Sequence, residues 1–227
     1  MRHSFCLLLI VFAINTGIAQ SKSLPAFSSI STSGSVKVEL IKGDESKADY
    51  TILKGKEEDL LIEVKNNHLT VKIKSKISGM WNRSQTKANI TVYYQTLNSI
   101  DCSAGSSLTA NNEINSRSIG IDASSGASCK VKVNSEDLSV NTSSGSTVTL
   151  NGISKTATYD SSSGARIDAG YLISDNADAD VSSGASISLH ATKSLKADAS
   201  SGGSIKYRGN PENKNIDSGM SGSIKSF

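Results

Sequence analysis

Six aspartates and one asparagine recur along the second half of this 227-residue chain at nearly fixed spacing: Asp101, Asp122, Asn141, Asp160, Asp180, Asp198 and Asp217. Two kinds of chemistry would use such a row. Carboxylate and carbonyl oxygens can ligate Ca²⁺, or each side chain can accept the backbone amide two residues ahead in its own turn, as an Asx-type cap. The capping reading is favoured. The calcium-binding repeat of β-helices is Gly-Gly-x-Gly-x-Asp at a period of about nine, and this chain has neither that spacing nor that glycine density. No metal or other cofactor is expected, and Asp101, Asp122, Asp160, Asp180, Asp198 and Asp217 stand as the candidates should a cation bind.

Other reactive groups are scattered. His68 falls in an expected turn and His190 in a corner after a strand, neither beside a motif partner. Arg117, Arg166 and Arg208 occupy different repeat positions, and Asp168 and Glu136-Asp137 read as solvated surface charges. No nucleophile elbow, metal motif or phosphate loop is present, and Ser-Ser-Gly recurs too often to be one. Trp81, alone in the loop from Ser75 to Lys87, is a candidate platform for a sugar ring, set against the commoner fate of packing on its own domain.

What must position the aspartates is a repeat. Gly105, Gly126, Gly145, Gly164, Gly184 and Gly202, with Ser221 in the last copy, follow one another at intervals of 21, 19, 19, 20, 18 and 19 residues. Most are preceded by two serines. Self-similarity at this period marks a solenoid, in which each unit buries its apolar side against its neighbours. Three residues after the glycine stand Leu108, Cys129, Val148, Ile167, Ile187, Ile205 and Ile224; five before it stand Ile100, Ile121, Val140, Tyr159, Ala179, Ala197 and Ile216. Polar residues alternate between them, so the segments read as strands with one buried face. The spacing predicts a parallel β-helix with two or three short strands per coil of about 20 residues and a regular section on the order of 30 Å long. The aspartates lie between inward positions and should point outward as a stacked ladder. The paired serines from Ser124/Ser125 to Ser200/Ser201 should form hydroxyl ladders that bond the corner amides.

Residues 1–19 read as a secretory signal. Arg2 supplies the positive end, Phe5 to Ile14 the apolar stretch, and Gly17-Ile18-Ala19 a small-x-small cleavage site before Gln20. No later segment is apolar enough to anchor the chain, so a mature exported chain with no integral membrane segment is expected, in the periplasm, at the outer surface or secreted. Nor is a membrane barrel expected in it, so self-export is not. The 24 basic and 21 acidic residues leave a formal charge of +3 without a clustered basic patch, which argues against nucleic-acid binding. Cys102 and Cys129, both at inward positions, are favoured as packed thiols over a disulfide.

Residues 20–227 are expected to form one solenoid domain, with 24–100 as irregular early coils and cap and 101–227 as the regular repeats. Val36–Leu40, Tyr50–Leu53, Leu60–Val64, Leu69–Ile73 and Ala88–Tyr94 read as longer alternating strands. Asn66-Asn67 suggests a hairpin between two of them, and the section should cover the open strand edges at that end.

Phe27-Ser28-Ser29-Ile30 leading to Gly34 and Val36-Lys37-Val38, then Leu69-Thr70-Val71, Trp81, Ile90-Thr91-Val92-Tyr93, Leu97-Asn98-Ser99-Ile100 and the Ser-Ser-Gly repeats give the chain a family resemblance over residues 24–227. It resembles the putative auto-transporter adhesin, head GIN domain family. The resemblance implies an exported bacterial β-solenoid with a surface or adhesion role and names no binding residues. The expectation is a non-catalytic envelope or surface binding protein whose partner is a glycan or an envelope protein. A structural scaffold is the alternative, and a polysaccharide-acting enzyme a distant third.

Overall fold

The computed structural model describes residues 20–74 and 85–227; the signal-like segment and Trp81 lie outside the described residues. Apart from one 3₁₀ turn at Glu57–Asp59, the regular elements are strands. They run β1 (Gln20–Ser23), β2 (Ser29–Ser33), β3 (Val36–Lys42), β4 (Lys47–Lys54), β5 (Leu60–Lys65), β6 (His68–Ile73), β7 (Lys87–Tyr94) and β8 (Ser99–Ser103). The regular part follows with β9 (Ser107–Ala123), β10 (Ser128–Thr142), β11 (Thr147–Ser161), β12 (Arg166–Val181) and β13 (Ser186–Ala199). Then come β14 (Ser204–Arg208), β15 (Asn213–Ser218) and β16 (Ser223–Ser226). All join one hydrogen-bonded sheet wound into a parallel β-solenoid of about seven turns.

Each regular coil differs from the expected two or three short strands. It is one unbroken strand of 14 to 17 residues closed by a single tight turn. The turn is Ser124–Ala127 and its equivalents: the Ala127 amide donates to the Ser124 carbonyl at 3.1 Å, and Ser125 (φ 52°) and Gly126 (φ 71°) are both left-handed. Two successive positive φ values define a type I′ turn, which explains glycine at the second site and a small polar residue, or Ala104, at the first. The opposite bend needs no glycine. There the Ser116 and Ser154 hydroxyls donate to the carbonyls of Ser118 and Thr156, each at 2.8 Å, so the strand turns while the ladder continues on both sides.

Stacking is in register: Val140 lies over Ile121 and under Tyr159, and Val148 sits between Cys129 and Ile167. Side chains of one position therefore share one layer of core and must compensate in volume. Tyr159, fully buried, is accommodated by Ala157 in its own coil and Ala179 above it. The hydroxyl of Tyr94 finds no partner among the described residues, that of Tyr159 faces Ser174 without closing a well-formed hydrogen bond, and burial pushes both phenols up.

The N-terminal section breaks the simple order. The coil made by β2 and β3 is inserted between the β6–β7 coil and the β8–β9 coil, so neighbours in space are not neighbours in sequence. Beyond β6 and β7 the pairing turns antiparallel, with β5 on β6, β4 on β7 and β1 on β4. Asn66 (φ 49°) and Asn67 (φ 62°) make the β5–β6 hairpin as expected; His68 is the first residue of β6 rather than part of the turn. Antiparallel strands cannot template another parallel coil, which is how this end is capped.

The other end is left open. Pro211 is buried, but β15 is exposed throughout and pairs only with β13. Ile216 occupies an inward ladder position yet is 42% exposed, because such a position becomes interior only under a further coil.

Two glycines separate backbone strain from collision. Nothing lies within 4 Å of where a Cβ on Gly145 would sit, so Gly145→Ala should cost only left-handed strain, about 1 kcal/mol. A Cβ on Gly152 (φ 117°) would fall 2.0 Å from the Val133 carbonyl oxygen. Thermal unfolding should show a fall of about 2–4 °C for Gly145→Ala and a loss roughly three times larger for Gly152→Ala; equal losses would contradict this packing.

Candidate functional site

The aspartates form the ladder the spacing predicts. Ser31, Asp101, Asp122, Asn141, Asp160, Asp180, Asp198 and Asp217 pair in unbroken register along one outer face. They are not Asx caps. The amides two residues ahead are already committed to the neighbouring coil: Ser124 donates to the Cys102 carbonyl at 2.9 Å, Ser143 to Ala123 at 3.0 Å and Ser162 to Thr142 at 3.0 Å. The corner serines are likewise stacked, but the hydroxyl bonds lie inside the corner, as from Thr142 to Ser161 at 2.8 Å. Among the described residues, no three His, Cys, Asp or Glu side chains converge as a metal site requires. The row borders a shallow groove of about 400 Å³ with Ser103, Ser124 and Ser143 on its other wall.

Stacked like charges cost free energy, about 0.2–1 kcal/mol for a directly opposed pair. The ladder dilutes that cost in two places. Asn141 donates its amide to Asp122 at 2.8 Å, and Lys196, bonded to Asp178 at 3.0 Å, stands beside Asp180 and Asp198. The strain remains in two carboxyls. Burial and then the charge of Asp122 push Asp101 up, against His68 and Ser99; burial and then the charges of Asp198 and Asp160 push Asp180 up.

The opposite corner solves the same problem differently. Arg117, Glu136, Lys155, Asp175, Lys193 and Glu212 occupy successive coils at the bend and alternate in sign. Arg117 reaches Glu136 at 3.2 Å and Lys193 reaches Asp175 at 2.8 Å. This neutral ladder went unrecognised in the sequence reading, although the repeat positions carry it. It answers electrostatics within the protein and leaves little charge for a partner.

In a third region cations collect. Arg166, Lys206, Arg208 and Lys225 line a groove of about 600 Å³ on the face that follows the Ser-Ser-Gly corner, and Asp168 is the acidic side chain among its lining residues. None of the four cations has a carboxylate within ion-pair distance among the described residues. The Arg208 guanidinium lies 4.9 Å from the Tyr171 ring centre and 4.6 Å from that of Phe227, so the two rings flank it. Sequence reasoning held Arg166 and Arg208 apart as unlike repeat positions. The structure unites them because positions two, four and six after the glycine share one outer face, with Ser186, Ser204 and Lys206 keeping the register between them; beside them β12 carries a bulge, where Asp168 pairs with Ser188 and Ile173 with His190, leaving Ala169–Leu172 opposite Leu189. The bulge pushes Tyr171 out to 68% exposure over Arg208. The signal was present as the interval change from 20 to 18 residues at Gly184.

The remaining candidates are structural in their surroundings. His68 sits between two hydroxyls, Nδ1 to Ser29 and Nε2 to Ser31, each at 2.9 Å. Cys102 and Cys129 are buried together in the core; the bond to Cys102 and burial push the Cys129 thiol up.

Fold and faces together define a parallel β-solenoid whose surface chemistry is organised as side-chain ladders. Over residues 26–211 the chain matches the family described as putative auto-transporter adhesin, head GIN domain, and it belongs to that family. Among solved structures it is similar to a putative adhesin from Bacteroides fragilis, with TM-score 0.82 and 22% identity over 94% of this chain and 98% of that one. A putative lipid binding protein from Parabacteroides distasonis gives TM-score 0.73 and 20% identity over 94% and 98%. A putative adhesin from the same organism gives 0.71 and 18% over 93% and 98%. At such identities the likeness shows the fold alone. No curated protein matches the chain.

The raised carboxyls predict a pH dependence with a definite sign. Where the folded pKa exceeds the unfolded one, the fold binds more protons, so these groups' contribution to stability rises as pH falls through that window. Asp101→Asn and Asp180→Asn, each copying what Asn141 already does, should raise the melting temperature at pH 7 by about 1–4 °C. The gain should vanish near pH 3. A loss at pH 7, or a rise in the parent's melting temperature on adding Ca²⁺, would instead make the carboxylates ligands.

Proposed function

We propose that this chain is an exported, non-catalytic binding protein of adhesin type. It works at the cell envelope or surface and meets a glycan or an envelope protein with the outer faces of its rod. The observation that carries the reading is the in-register stacking itself, which repeats the same polar groups along one rigid surface about every 4.8 Å, a geometry suited to repetitive ligands. Family membership and the signal-like residues 1–19 support export. Against catalysis, the most Ser/His-rich spot holds His68 between Ser29 and Ser31 on a strand face, where the amides serve the ladder and none is free to stabilise an oxyanion. One similar structure bears the name of a lipid binding protein. In this chain the inward ladders fill the interior, so a lipid would have to bind outside.

Labelling intact producing cells with a non-permeant amine reagent tests the location. The mature chain should be modified while a periplasmic control is not. Modification only after the cells are opened would remove the surface role and favour a periplasmic partner.

One observation favours a scaffold as second reading: the exposed β15 edge with Ile216 and Met220, the latter 89% exposed. Sedimentation velocity across a hundredfold range, roughly 1 to 100 μM, should show growth with concentration if coils stack end to end. A constant monomer removes that reading, since exposed strand edges of this kind associate through backbone pairing.

A further inference from the structure

We propose that the groove formed by Arg166, Lys206, Arg208 and Lys225 between Tyr171 and Phe227 is a binding site for an anionic polysaccharide. The proposal deepens the binding-protein reading and rests on it. Its first support is charge without an internal purpose. Elsewhere on the rod several cations are paired locally, as in the alternating corner ladder or the Lys132–Glu113 pair at 3.0 Å. Here Lys206 and Lys225 are stacked in register on adjacent coils, where they repel each other, and no carboxylate of the described chain reaches either. An exposed like-charge pair that the fold does not neutralise is complementary to an anion.

The second support is shape. Arg166 begins one coil and Lys225 lies three coils on, so the groove runs along the rod for about 14 Å at the strand spacing. That length suits a few consecutive residues of a linear chain. Its volume of about 600 Å³ is in the range of small-molecule sites. The third is the pair of aromatic rings. Tyr171 and Phe227 are 68% and 56% exposed, an unusual state for large apolar side chains, and they hold the Arg208 guanidinium between them. Rings of this kind pack against the C–H faces of sugars while the flanking cations take carboxylate or sulfate groups. The floor carries Ser186, Ser188 and Ser204, whose hydroxyls suit sugar hydroxyls. A nucleic acid is less well matched, because the acid ladder occupies the adjoining face and a polyanion of that width would meet both.

Titration calorimetry on the mature chain tests this with four probes: oligogalacturonate, a heparin oligosaccharide, a neutral cello-oligosaccharide of equal length, and phosphatidylglycerol vesicles. One or both acidic sugars should bind, with carboxylate or sulfate preference decided by comparing the first two, and affinity should fall at least tenfold between about 50 and 500 mM salt. Arg208→Ala and the double variant Lys206→Ala/Lys225→Ala should each weaken binding tenfold or more. Arg208→Lys should recover part of it, and Lys155→Ala at the far corner should change nothing. All these positions are on the surface, and circular dichroism melts confirm folding. The proposal is overturned if neither acidic sugar binds at millimolar concentration, if the neutral sugar binds equally, if only vesicles bind, or if the groove variants retain parent affinity. Surface labelling of cells together with sugar binding elsewhere on the rod would sink the site and leave the binding-protein reading standing.

Discussion

The constraint on which everything else depends is the in-register backbone ladder between coils. Each coil spends its amides and carbonyls on the coils below and above it, at the turn as well as along the strand: Gly126 donates to Ser144 and Ser143 to Ala123, both at 3.0 Å. Once that is fixed, a residue's chemistry is no longer its own. It becomes a column of similar groups about 4.8 Å apart. Apolar columns then build the core at no cost in specificity, whereas charged columns must be arranged. The corner column and the aspartate column show two solutions. At the bend the signs alternate from Arg117 to Glu212, and exposed ion pairs, individually worth little, together cancel the field. On the aspartate face the signs repeat, and the repulsion is diluted by Asn141 and by Lys196.

The turn sets the length of the coil and so the register of every column. Two adjacent left-handed residues are disfavoured for most amino acids, and the repeat concentrates glycine at the second of them. A 19-residue interval closes the coil without distortion. A longer or shorter interval must be absorbed as a bulge. The 21-residue interval does so at Ala110–Asn112, where the Asn112 side-chain Oδ1 accepts the Lys42 amide at 3.1 Å and knits the regular section to the inserted N-terminal coil. The 20-residue interval does so at Ala169–Leu172, and the product is a wall of the cationic groove.

Much of this was legible in the sequence because a solenoid writes its geometry as a period. The glycine spacing located the turns, and the positions three after and five before it named the buried side chains correctly up to the last coil. Three things were not legible, each for a physical reason. The aspartate caps failed because a local reading counts a turn's amides as free, when stacking had already used them. The continuous strands were hidden because the second bend is made by serine hydroxyls rather than by glycine or proline. Arg166 and Arg208 looked unrelated because they stand two and six residues after their glycines, and only the alternation of the strands puts both on one outer face, two coils apart. The insertion of β2 and β3 between later strands was hidden for a simpler reason. Long-range order of this kind is decided by which edges match, and single strands such as Val36–Lys42 carry no mark of their partners.

The placement of the two charged faces has a consequence that neither has alone. The aspartate column stands four residues before the turn and the groove begins two residues after it, so the faces meet at the Ser-Ser-Gly corner. With a formal charge of only +3 over the whole sequence, the protein exerts little net pull on a distant anion. Within a Debye length, about 10 Å at 0.1 M salt, the approaching anion meets two opposite fields side by side. One face repels it along the length of the rod, and the other offers four unpaired cations at one end. Segregated charge of this kind orients an encounter more than it strengthens it. A polyanion is turned toward the C-terminal groove and away from the aspartate face, while a cationic surface is turned the other way. A rod built from identical backbone columns thus acquires distinct ends and distinct sides, through a few departures from its own repeat.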